Sequence, residues 1–175
     1  MASITRTRLV LTGLTALTAG CSPSLNWRDI TPEGAAARLM FPCKPEQETR
    51  PQPGPDGRPM SVHSYSCKAQ GGQYSLTWVN LGTQQEVPGA LRRLRERMAA
   101  LVVPGESAPL TIKGMTPDPS AGQQRFSAPA GQPAQSVRQA VFARGPYIYQ
   151  LLQQGPTPND EAWDVFVSSV VLTGP

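Results

Sequence analysis

The chain has 175 residues, with 16 basic and 12 acidic side chains, one histidine and 19 prolines, a size suited to one domain. Its net charge of +4 comes without any Lys/Arg run interleaved with aromatics, which speaks against a nucleic-acid partner. Apolar stretches with strand and helix periods persist between the proline clusters, and they exclude wholesale disorder.

The chain opens with Arg6 and Arg8, an apolar stretch holding Leu9, Leu11, Leu14 and Leu17, and then Ala19-Gly20-Cys21. The apolar part is too short to span a bilayer, and the order basic, apolar, small marks an export signal over residues 1–20. The closing cysteine makes it resemble a bacterial lipoprotein signal, in which the thiol is acylated and becomes the mature N-terminus. Thr18 stands where such signals usually carry an aliphatic residue, with Leu17 one place earlier. Ordinary cleavage after Ala19 or Gly20 would instead leave a free thiol, and a lone thiol at a cleavage site favours acylation of Cys21. Ser22 follows in place of an aspartate, which resembles the pattern sent on to the outer membrane. Arg6 and Arg8 leave with the signal, so 16 basic side chains become 14 against 12 acidic ones, and the net charge falls from +4 to +2.

Residues 21–35 read as an acylated tether, with Trp27 and Ile30 able to pin its end to a single domain over 36–175. Residues 37–41 read as a strand stopped by Pro42, followed by a proline-rich loop over 50–57. Alternation predicts strands over 60–69 and 73–81, joined antiparallel at Gly71-Gly72. His63, Tyr65 and Cys67 fall on one face of the first, and Val62, Ser64 and Ser66 on the other. The period then changes. Leu91, Leu94, Met98, Leu101 and Val102 share one face of a helix over 88–102, with Pro88 in its first turn, Thr83 as a cap and Pro104-Gly105 ending it. Short strands are expected at 110–115 and 124–127, and a hairpin at 136–144 and 147–153 turns at Gly145-Pro146. A last helix starts at Thr157-Pro158-Asn159-Asp160, capped by the threonine, with Trp163, Phe166, Val167 and Val170 on its apolar face. Strands, helix, strands, helix imply an α+β fold, an antiparallel sheet with two main helices packed on it.

Cys43 and Cys67 form an even pair in an exported chain, and no C-x-x-C is present, so a structural disulfide is expected rather than a redox pair. Cys43 lies in Pro42-Cys43-Lys44-Pro45, a stiff setting suited to a staple.

Phe41-Pro42-x-Lys44-Pro45, the strand Tyr74 to Leu76, the arginine-rich helix, Gly145-x-Tyr147-x-Tyr149-x-Leu151 and the closing Phe166-Val167-x-Ser169 together resemble small exported lipoproteins of proteobacteria. More loosely, the layout over 36–172 is similar to the PsbP-like α/β/α sandwich of the DcrB and LpqN lipoproteins. The cysteine pair departs from that pattern. The resemblance implies an outer-membrane lipoprotein facing the periplasm, non-catalytic, with a binding or accessory role, and it supplies no catalytic residues.

The competing expectation is a hydrolase or redox enzyme centred on His63 or on Cys43 and Cys67. No G-x-S-x-G accompanies His63, and its neighbour Ser64 points to the opposite strand face. A zinc site from His63, Cys43 and Cys67 lacks a fourth ligand at a recognisable spacing, so no metal and no cofactor is expected. Arg92, Arg93, Arg95 and Arg97 are the densest charge cluster after the leader, either a solvated helix face or a contact for anionic lipid or an envelope protein. Tyr147 and Tyr149 share a strand face with Leu151, where they pack on the sheet or line a groove.

Overall fold

A computed structural model describes residues 25–54 and 57–174. The leader over 1–20 and the acylation site Cys21 lie outside the described residues. The fold is α+β: ten strands in two antiparallel sheets, and two helices, among the described residues.

The main sheet holds seven antiparallel strands: β3 (Glu46–Pro53), β4 (Pro59–Ala69), β5 (Gly72–Asn80), β6 (Val103–Ala108), β7 (Gly122–Ser127), β8 (Ser136–Arg144) and β9 (Tyr147–Gly155). Their spatial order is β3-β4-β5-β9-β8-β7-β6. A small sheet, order β1-β2-β10, is made of β1 (Arg28–Ile30), β2 (Ala37–Phe41) and β10 (Val171–Leu172). The alternation of side chains along the central strands divides the interior. Tyr74, Leu76, Trp78, Ala140, Phe142, Tyr149 and Leu151 face the small sheet and α2 (Asp160–Ser168). Val79, Val141, Ala143 and Ile148 face the other way, onto α1 (Val87–Ala99). Strand β8 is covered on both faces, and its residues from Val137 to Ala143 are all buried.

The paired strands over 60–69 and 73–81 and the pair at 136–144 and 147–153 are present as expected, as are the strand at 37–41 and that near 124–127. The first hairpin turns one residue earlier than expected. Gln70 and Gly71 take the two left-handed positions (φ 49° and 73°), the twist a two-residue hairpin needs, and Gly72 already pairs with Ala69.

Four expectations are corrected. Residues 50–53 of the expected proline-rich loop belong to strand β3, and the stop after the first helix leads into strand β6. These are the two edges of the main sheet, every residue in them is exposed, and an edge accepts proline because no neighbour needs its N–H. Pro51, Pro53 and Pro104 thereby blunt both edges against pairing with another chain. Residues 110–115 form no strand, only a parallel bridge between Lys113 and Val171, because their backbone is spent on turns such as the Met115 N–H to Ile112 O bond of 3.1 Å. Helix α1 ends at Ala99, leaving Leu101 68% exposed, since Val102 and Val103 before Pro104 favour extended backbone. Finally, Asn159 rather than Thr157 caps α2, accepting the Ala162 N–H at 3.0 Å, and Thr83 caps a 3₁₀ turn (Gln84–Glu86) ahead of α1.

The domain also reaches further back than residue 36. Strand β1 lies within the expected tether and pairs with β2, and Leu25, Trp27 and Ile30 pack against the core. Cys43 and Cys67 are joined, with Cα atoms 5.9 Å apart, which fixes the end of β2 to β4 and so one sheet to the other.

Candidate functional site

Helix α1 is short for the sheet it covers. Its buried residues Val87, Ala90 and Leu91 sit over β8, β9 and the end of β5, and the sheet face towards β4 and β3 is left open. The step between helix and open sheet is a groove of about 610 Å³. Met60 and Val62 of β4, Thr77 and Val79 of β5, and Ile148 and Gln150 of β9 form its floor. Ala90, Arg93, Leu94 and Arg97 of α1 form one wall, Gln52 to Gly54 the other, and Glu86 stands at the N-terminal end of the helix. Trp78 and Tyr149 border it too, although both residues are buried and pack in the core on the far face. The volume falls within the range of small-molecule sites.

Helical geometry splits the four expected arginines. Arg93 and Arg97 are four residues apart, on the same side as Ala90 and Leu94, and both line the groove. Among the described residues neither has an ion pair or a hydrogen bond. Arg92 turns away and lies 3.9 Å from Glu96, both about two-thirds exposed, while Arg95 reaches towards Gly122 of β7. Only two of the four therefore share a surface with apolar side chains.

The expected tyrosine pair is used differently by its two members. Tyr149 is 1% exposed, stacks on Phe142 with ring centroids 5.2 Å apart, and donates its hydroxyl to the Ala35 carbonyl at 2.7 Å. Burial, with Tyr147 adding to it, pushes the Tyr149 phenol well above its usual range. Tyr147 is half-buried against the same core. The pair packs, and the open groove lies on the opposite face of the sheet.

His63 also lies on that far face. Its ring stacks on Trp78 at 5.1 Å and its Nδ1 is 3.0 Å from Thr49 Oγ1. The cavity beside it is lined by Gly34, Pro59, Met60, Ser61, Trp78, Asn80 and Tyr147, none of which brings a carboxylate to orient the imidazole. Cys43 and Cys67 are committed to each other and offer no thiolate.

A second polar cluster escaped the sequence. Arg138 of β8 has a side chain only 4% exposed, and it shares Asp160 with Arg125 of β7, whose Nη2 is 2.9 Å from the carboxylate. The hydrogen bond from Arg125 holds the Asp160 carboxyl below its usual range, and burial pulls the Arg138 guanidinium down. This clamp fixes the first turn of α2 to the sheet. Because the carboxyl titrates lower when folded, its contribution is complete above the ordinary carboxylate range and fades as pH falls through the lowered value. The signal in the sequence was Arg138, followed by Gln139, in a strand whose other residues from Val137 to Ala143 are apolar. The groove floor had a fainter one: Val62, an apolar side chain on a strand face shared with Ser64 and Ser66. The chain matches no family model, no curated protein and no solved structure, and its chemistry therefore stands on its own side chains.

Proposed function

We propose that the protein is a non-catalytic lipoprotein of the outer membrane, facing the periplasm, whose working surface is the groove under α1. It is held by an acyl group at Cys21, and its role is to bind a ligand or partner in support of an envelope assembly. A helix on each face of an antiparallel sheet, with the small sheet beside α2, supports a PsbP-like α/β/α arrangement. The observation that carries the reading is the groove's composition. A floor of Met60, Val62, Val79 and Ile148, interrupted by Thr77 and Gln150, meets two arginines without acidic partners among the described residues, and the described lining includes no histidine, cysteine or serine. Such a surface is built to hold, not to attack.

Two measurements test it. Cells grown with a radioactive fatty acid should label the wild-type protein and not the Cys21→Ala variant; equal labelling of both would contradict the anchor. Native mass spectrometry of the lipidated protein purified from its own envelope should show a bound small molecule. Val62→Trp, which fills the groove from a half-buried strand position, should abolish that adduct with little change in thermal midpoint. An adduct that persists in Val62→Trp would show that the ligand binds outside the groove.

A further inference from the structure

We infer that the groove takes a free single-chain anionic amphiphile, its chain on Met60, Val62, Val79 and Leu94 and its charged head between Arg93 and Arg97. The inference rests on the reading of this groove as the working site.

Three features of the molecule select that ligand. The first is charge complementarity. Arg93 and Arg97 stand one helical turn apart on the groove wall with no ionic partner among the described residues, whereas the adjacent Arg92 is beside Glu96. Two uncommitted guanidinium forks on one wall suit a carboxylate or phosphate monoester, which accepts several charge-assisted hydrogen bonds at once. The Arg93 guanidinium folds back over Gly89, so the anionic head is met along the middle of the helix, and Glu86 at the N-terminal end repels an anion that moves past it.

The second is the nature of the floor. Met60, Val62 and Val79, with Leu94 on the wall beside them, supply adaptable and branched apolar surface next to those arginines, with Thr77 and Gln150 among them, so the ligand that uses both is apolar along most of its length and anionic at one end. A free anion such as phosphate would leave that floor wet, and an uncharged hydrocarbon would leave the arginines unused.

The third is what the groove refuses. An α-helix about 10 Å across takes up about 120 Å³ per residue, so only about five residues' worth of a partner helix would sit within the roughly 610 Å³ of the groove and the rest would stand outside it. A peptide could instead add as a strand along β3, which borders the groove, but Pro51 and Pro53 withdraw two backbone donors from that edge. A thin flexible chain fits where these do not.

Isothermal titration of the mature domain, with amphiphiles below their micelle concentrations, tests the inference. Dodecanoate should bind the wild type, and acetate should not. Octanoate should bind more weakly, since each buried methylene is worth up to about fourfold in affinity. Arg93→Gln with Arg97→Gln, both changes on an exposed helix face, should weaken dodecanoate by at least about tenfold. Dodecyl maltoside, with the same chain and a neutral head, should bind weakly and ignore the arginine changes. Phosphatidylglycerol vesicles should not retain the protein. Failure of dodecanoate to bind, equal binding of the neutral and anionic amphiphiles, indifference to the double arginine variant, or arginine-dependent capture by the vesicles would each overturn the inference. Val62→Trp separates this failure from a failure of the groove itself. If it abolishes the native adduct while dodecanoate does not bind, the site stands and the ligand class is wrong.

Discussion

Replacing Phe166 with alanine is expected to lower the unfolding free energy by about 3–5 kcal/mol, a fall in Tm of roughly 10–15 °C for a domain of this size. Phe166 is fully buried at the place where three elements meet. It lies on α2 and touches Phe41 of β2 edge-on at 5.0 Å, Tyr74 of β5 at 5.7 Å and its helix neighbour Trp163 at 6.4 Å. One ring therefore ties the helix to both sheets, and its loss leaves a cavity that none of the three can close alone. Phe166→Leu keeps most of the volume and should cost less than about 1.5 kcal/mol. Urea unfolding followed by tryptophan fluorescence would check both. A loss below about 1 kcal/mol for the alanine variant would mean that α2 is not the joint between the sheets.

The second large effect is expected from the disulfide. Cys43 and Cys67 are 24 residues apart, and loop-closure entropy assigns a cross-link of that span about 3.5 kcal/mol. Cys67 is 9% exposed on β4 and Cys43 follows β2, so the bond acts between the sheets and also shortens the unfolded chain. The Cys43→Ala, Cys67→Ala double variant should lose most of that stability with the groove residues still in place, because α1 and its floor lie on the other face. Thiol titration of the unfolded, unreduced domain over residues 25–174 should find no free thiol. Two free thiols there would contradict the bond.

The reach of the sequence can be judged residue by residue. The two hairpins were legible because Tyr74, Leu76 and Trp78, or Val137 to Ala143, carry strand patterns bounded by Gly71 and by Gly145-Pro146. Edge strands β3 and β6 were not, because Pro51, Pro53 and Pro104 read as breakers until it is known that each strand has a neighbour on one side only. Strands β1 and β10 have only three and two residues and both pair with β2, which for β10 is a long-range partner that no local pattern announces. The arginine cluster was visible as composition, but which of its members share a surface with apolar groups depends on where α1 crosses the sheet. The groove itself is a mismatch in size between one helix and seven strands. Val62 hinted at it, and only the packing reveals it.

Binding in that groove can be read residue by residue from a nitrogen–proton correlation spectrum of the labelled domain, titrated with a small-molecule extract of its own envelope. The amides of Met60, Val62, Thr77, Leu94, Arg97 and Ile148 should shift together and saturate, while those around His63 and the Arg138–Asp160 clamp stay still. Shifts confined to the His63 and Trp78 face, with the α1 groove silent, would contradict it.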